Sequence, residues 1–400
     1  MEKKYKTKTM QRIGLVLLSV PGYSETFFRS KIKGLQANGF EVVLFVFYPP
    51  KKDEHLPCKV IVSPQFNGNF FSKSIAVFKA LLQILFVSPF RSKKLYQLDS
   101  RDGNGRNACF KNLIANQFII SEDLDWLHFG FGTVAVGREN LADAMHAKMA
   151  VSFRGFDLYL SPLKRNQYYN TLFKKDVKYH VLSQEMKVDL IAKGVTDHQI
   201  KVITPAINTL FFKPNTSSLA NDKLKILTVA RLHWKKGLEY TLEALALLVK
   251  RDISFEYTII GTGDELERLV FAAHQLGISE YVKFIGKQSP ETVKTYMSSS
   301  DIYLQYSIQE GFCNAVIEAQ AMGLICVVSD AEGLAENVLN ELTGFVIPKR
   351  KPKVLAETIE KLVYLPERQK NELKKLAIER VKKDFNISKQ QDEFLEFYQN

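Results

Sequence analysis

Four hundred residues exceed what one ordinary hydrophobic core organises and suit two domains of about 150–200 residues each. A composition 46% hydrophobic and 24% charged excludes disordered and fibrous classes, and four scattered cysteines (Cys58, Cys109, Cys313, Cys326) without a CxxC pair argue against a disulfide framework or a structural zinc site. The whole net charge of +12 lies in residues 1–200, the second half being balanced. A half this basic suits an anionic partner (membrane lipid, a phosphate-bearing acceptor or nucleic acid) or serves solubility alone.

Lys3, Lys4, Lys6, Lys8 and Arg12 precede the apolar run Ile13–Val20, superficially like a signal peptide. The run is short and no small-residue cleavage site follows, so a first buried strand over 12–19 is the expectation. Ser24 is a helix N-cap with Glu25 in the first turn; the helix runs to Asn38 and stops at Gly39. A strand over 41–48 completes a right-handed βαβ unit. Ile75–Val87 is apolar over about 13 residues, short of the roughly 20 a bilayer span requires. Basic and aromatic neighbours leave it either a peripheral amphipathic helix or a buried domain helix. Short apolar runs at 126–129, 149–153 and 179–182 continue the alternation.

Residues 205–222, rich in Pro, Asn and Ser, read as a linker. Beyond them strands at 224–229, 255–260, 282–285, 302–305 and 325–328 alternate with helices, the pattern of a doubly wound parallel sheet. Domains of 1–208 and 209–385 follow, with a terminal helix at about 386–400 able to return to the first.

Two stretches join a strand end to a helix start, where ligands bind in this architecture. In Ala230–Gly237, Arg231 offers a planar fork and Lys236 a point charge, a pair suited to a diphosphate or simply to a solvated loop. In Glu310–Glu318, Gly311 permits close backbone approach and the helix start presents free N–H groups. The two carboxylates can each take hydroxyl hydrogen bonds, or stand as surface glutamates.

At these stretches the chain resembles the retaining glycosyltransferases of family 4, which have the GT-B fold: two Rossmann-like doubly wound α/β domains facing across a cleft. Arg231 to Gly237 is similar to the family's R-L-x-x-x-K-G stretch, and Glu310 to Ala319 to its EGFxNxxxEA motif. Ile260-Gly261-Thr262-Gly263, Val282 to Gly286 and Leu342 to Val346 extend the likeness over nearly all of the second half. In the first half, Pro21 to Phe27 resembles the PxxSETF stretch of members that build bacterial surface polysaccharides. His128-Phe129-Gly130, Ser152 to Asp157 and Ser183 to Gly194 match more loosely.

The resemblance implies transfer of a hexose-type sugar from a nucleotide diphosphate sugar to a glycan or lipid-linked acceptor. Arg231 and Lys236 would hold the diphosphate, Glu310 the transferred sugar and Glu318 the ribose. Gly311, Phe312, Cys313, Asn314, Ala315, Gly261, Gly263 and Ile285 would complete the donor site. Ser24, Glu25, Thr26, His128, Arg154 and Asp157 are acceptor-side candidates. Where relatives carry histidine, this chain has Arg154, which cannot act as a base, and His128 is equally open to a structural role. Neither cofactor nor metal is expected: Asp123-Leu124-Asp125 is a D-x-D tripeptide, but this architecture neutralises phosphate with Arg, Lys and a helix end. No obvious Asp or Glu of the first domain presents itself as a nucleophile, so front-face substitution is the expected mechanism. A cytoplasmic protein, peripheral at the inner face of the membrane and without nucleic acid, is the expected setting. The rivals are a nucleotide-sugar epimerase of the same fold and a non-catalytic binding protein. A nicotinamide enzyme would need a GxGxxG that is absent.

Overall fold

The computed structural model describes residues 10–22, 26–50, 56–66, 70–165, 167–214 and 223–399. The chain divides into two compact units: Met1–Val181 with Lys187–Ile203 and Gln391–Asn400, and Leu182–Met186 with Thr204–Gln390.

The first unit is built on seven parallel strands: β1 (Arg12–Leu17), β2 (Glu41–Val46), β3 (Lys59–Val62), β4 (Trp126–Phe129), β5 (Lys148–Ser152), β6 (Lys178–Val181) and β7 (Ile200–Val202). Their order is β3-β2-β1-β4-β5-β6-β7. A parallel sheet covered on both faces buries both sides of each strand, which is why β1 and β2 read as unbroken apolar runs. The helix Thr26–Ala37 crosses between them, setting Phe28, Ile32 and Leu35 into the core. The terminal helix Ile387–Gln399 contributes Phe394, Phe397 and Tyr398 to the same core. Trp126 Nε1 donates to the Tyr398 carbonyl at 3.1 Å.

The second unit has six parallel strands: β8 (Leu224–Val229), β9 (Phe255–Ile260), β10 (Val282–Phe284), β11 (Ile302–Gln305), β12 (Ile325–Ser329) and β13 (Gly344–Ile347). The order is β10-β9-β8-β11-β12-β13. The winding direction reverses between β8 and β11, so the loops following these two strands diverge around a crevice at their carboxyl ends. Both motif stretches are those loops. The apolar helix Leu238–Val249 packs its Leu242, Leu245 and Leu248 into one core layer. The helix Asn314–Ala321 places Val316 and Ala319 in the other.

Among the described residues, no single helix is long and apolar enough to cross a membrane.

Candidate active site

The loop after β8 is fixed by close backbone packing. Leu232 N–H donates to the Thr262 carbonyl at 3.0 Å and Ala230 N–H to the Ile260 carbonyl at 2.9 Å. A Cβ on Gly261 (φ +147°) would stand 1.8 Å from the Ala230 carbonyl oxygen, so only glycine allows the two loops to meet. A short turn, Trp234–Lys236, ends at Gly237 with φ +62°, and a Cβ there would lie 2.2 Å from the Tyr306 carbonyl oxygen. Ile308 N–H donates to the Lys235 carbonyl at 2.7 Å. The loops after β8 and β11 are thereby locked together, and Lys236 faces Glu310.

Lys236 Nζ donates to Glu310 Oε2 in an ion pair whose side chains are only 11% and 13% exposed. Burial works against the Lys236 charge, but the Glu310 carboxylate outweighs it and holds the ammonium's pKa above its usual value. Arg231 is exposed, and its positive charge is felt at Lys236. Glu318, on the helix Asn314–Ala321, is partly buried; loss of water around its carboxyl pushes its pKa up to about 7. Between the two glutamates lies Cys313, where the charges of Lys236, Glu310 and Glu318 all act. Burial, first among those causes, pushes its thiol up to about 12, so it stands neutral. The structure thus gathers Arg231, Lys236, Glu310 and Glu318 into one neighbourhood at the switch point. Phe312 is buried against the Phe385 ring, 5.6 Å between centroids. Asn314 and Ala315 open the helix, and Gly263 and Ile285 lie on the adjoining loops after β9 and β10.

Several residues that hold this loop carry no signal in the sequence. Glu332 accepts from Glu310 N–H at 3.0 Å while pairing with Lys349 at 3.1 Å. Asn337, wholly buried, accepts from Cys313 N–H at 3.2 Å and donates to the Cys313 carbonyl at 2.9 Å. Gly333 packs so tightly that a Cβ would sit 1.9 Å from the Gly311 carbonyl oxygen. Gln309, next to Glu310, is buried with neither amide atom hydrogen-bonded among the described residues.

In the first unit, Ser24 and Glu25 lie outside the described residues, and Thr26 opens the helix Thr26–Ala37. Two acceptor-side candidates, His128 and Asp157, are buried and already engaged within the first unit. His128 is fully buried, with both ring nitrogens engaged. Its Nδ1 meets Tyr398 Oη at 2.5 Å and Lys31 Nζ at 3.3 Å, and its Nε2 meets Ser152 Oγ at 2.8 Å. Ser152 Oγ in turn meets His180 Nδ1 at 2.8 Å, and His180 Nε2 reaches the Ile203 carbonyl at 3.0 Å. That carbonyl can only accept, so His180 Nε2 carries its proton, Ser152 donates to His180, and His128 donates from Nε2. Both rings are then neutral, and burial holds both pKa values well below the ordinary histidine value. Asp157 is likewise buried, accepting from Arg154 N–H at 2.7 Å and Gly132 N–H at 2.8 Å. It pins a turn. Arg154 is partly exposed; its guanidinium lies over the Phe27 ring at 3.8 Å, with Nε donating to the Gly130 carbonyl at 3.3 Å. Asp123 pairs with Arg91 and Asp125 accepts from Arg12 N–H, so the D-x-D tripeptide serves the scaffold.

Residues 211–380 match the family of group 1 glycosyl transferases. The amylovoran biosynthesis glycosyltransferase AmsK of Erwinia amylovora is 29% identical over 256 residues, 62% of this chain and 63% of that protein. The alignment thus spans less than two thirds of the AmsK length. The putative colanic acid biosynthesis glycosyltransferase WcaL of Escherichia coli K12 is 27% identical over 94% of this chain and 96% of its own. Among solved structures, Anabaena Alr3699/HepE in complex with UDP superposes with a TM-score of 0.73 at 17% identity, covering 97% of this chain and 99% of that one. The fold is GT-B, and residues 211–380 are a group 1 glycosyl transferase domain.

Proposed function

We propose that the chain transfers a hexose-type sugar, with retention of anomeric configuration, from a nucleoside diphosphate sugar to a glycan or lipid-linked acceptor in bacterial surface polysaccharide assembly. The observation that carries the donor assignment is the Lys236–Glu310 ion pair at the switch point, with Arg231 and Glu318 beside it. Anionic diphosphate suits the Arg231 guanidinium, the Lys236 ammonium and the first N–H groups of the helix Asn314–Ala321. These cations and dipoles would neutralise the leaving diphosphate without a metal ion. Glu318 would accept from the ribose hydroxyls and Glu310 from those of the transferred sugar. As the anomeric carbon–phosphate oxygen bond breaks, the acceptor oxygen attacks the same face, and its proton passes to the departing phosphate oxygen. Charge stabilisation at that oxygen is the main catalytic contribution of Arg231 and Lys236. The acceptor belongs to the first unit, where Arg154 supplies a permanent positive charge and no base.

The polysaccharide setting is supported by the relatives' names, which concern amylovoran and colanic acid biosynthesis, and the nucleotide by neighbours crystallised with UDP and UDP-glucose. A thermal-shift screen of UDP-, GDP- and other nucleotide sugars, followed by anomeric analysis of product, tests the proposal. Stabilisation by one donor and a product of unchanged anomeric configuration are expected. An inverted product, or a covalent glycosyl-enzyme seen by mass spectrometry, refutes the mechanism.

A further inference from the structure

The helix Phe70–Leu82 is continued by a wider turn over Gln83–Val87, and a second helix, Pro89–Arg101, follows. Phe71, Ile75, Phe78, Leu82 and Leu85 recur at spacings of four and three, an apolar stripe about 100° wide on a helix of 3.6 residues per turn. In a globular domain such a stripe faces the core. Here every one of those five side chains is exposed, while Ala80 on the opposite side is buried. Beyond the stripe the helix direction bends by 108° into the second arm, and the bend carries Phe86, Val87 and Phe90, with Phe86 78% and Phe90 87% exposed. Eight large apolar side chains therefore stand in water on one short segment, far more than scattered surface residues produce.

Charge selects the occupant. No Asp or Glu occurs between Glu54 and Asp99, whereas Lys59, Lys73, Lys79, Arg91, Lys93 and Lys94 do. Arg91 and Lys94 are tied to Asp123 and Asp143, but Lys73, Lys79 and Lys93 are exposed and make no ion pair among the described residues. A second copy of this surface would bring like charges together, so self-association is disfavoured. The second arm buries Ser92, Leu95 and Asp99 in its own unit, so the pair is fastened along the surface rather than free to span.

We infer that this bent segment docks on an anionic lipid bilayer, its apolar stripe and elbow entering the interface while Lys73, Lys79 and Lys93 meet lipid phosphates. The inference goes beyond the donor chemistry and rests on the first unit alone.

Flotation of the full chain tests it, using vesicles of phosphatidylcholine alone and vesicles enriched in phosphatidylglycerol. Binding at least tenfold stronger to the anionic vesicles, weakening with salt, is expected. F86E with F90E, and separately K73E with K79E and K93E, should each reduce it at least tenfold. All five positions are exposed, so circular dichroism and nucleoside diphosphate binding should match wild type. That control separates a failed docking surface from a failed donor site. Equal binding to both vesicle types, unaltered binding by folded variants, or concentration-dependent dimers abolished by F86E with F90E would overturn the inference.

Discussion

Lys236 donates a hydrogen bond to Glu310 across 74 residues of sequence, joining the loop after β8 to the loop after β11. Each side chain is the other's counterion while the donor is absent. In the proposed reaction, a diphosphate arriving beside Lys236 would compete with that carboxylate, and the transferred sugar would offer the carboxylate hydroxyls in exchange. Replacing Glu310 by Gln should therefore uncouple binding from transfer. Titration calorimetry should show nucleoside diphosphate bound roughly tenfold more tightly, the scale of one charge-assisted hydrogen bond. Turnover of the intact donor should fall by a factor of about 100 or more. Unchanged turnover would remove Glu310 from the reaction.

Under the proposed function, Glu318 makes the nucleotide affinity pH-dependent. Its pKa is raised to about 7 in the folded chain, and ribose hydroxyls would donate to the ionised form. Binding therefore releases a proton, and affinity should rise with pH through about 7 and then level off. For stability the sign is opposite. A carboxyl with a raised folded pKa favours the folded state while protonated, so its contribution is lost as pH rises from about 4.3 towards 7. E318Q should flatten both profiles, as titrations and melts across pH 5.5 to 8.5 would record.

Gly237 combines a left-handed backbone with a Cβ position 2.2 Å from the Tyr306 carbonyl oxygen. G237A should cost about 2 kcal/mol or more of stability and, by separating the two loops, weaken donor binding too. Urea unfolding and donor titration measure the two effects.

In the first unit, Lys31 is buried and makes no ion pair with a carboxylate among the described residues, its Nζ 3.3 Å from His128 Nδ1. Burial, reinforced by the Arg154 charge, holds its pKa well below the ordinary lysine value; His128 and His180 are lowered in the same sense. An unfolded chain takes up protons on all three that the folded chain refuses. Stability should therefore fall with pH below about 6.5 through the histidines and, through Lys31, from about 10.4 downward. K31M should raise the melting temperature most at acidic pH, and an unchanged pH profile would contradict the neutral network.

The two loops that bring Arg231, Lys236, Glu310 and Glu318 together were legible because each motif is local: a strand end, a glycine and a helix start lie within about ten residues. What fastens them was not. Glu332 and Asn337 reach Glu310 and Cys313 from 22 and 24 residues away and belong to no repeating pattern. His128 could be read either way, since its burial depends on Tyr398, 270 residues distant. Asp157 looked like a cleft carboxylate because sequence cannot show that two backbone N–H groups already occupy it. At Ile75–Val87 the sequence showed an apolar run with basic neighbours, but not whether it met water or the core.

Titration calorimetry of UDP and GDP against wild type and the R231A, K236A double variant is the most direct measurement of the shared donor site. One of the two nucleotides should bind wild type, with affinity at least 100-fold weaker in a double variant that circular dichroism shows to be folded. Undiminished binding by the folded double variant would contradict the assignment of these two cations to the diphosphate.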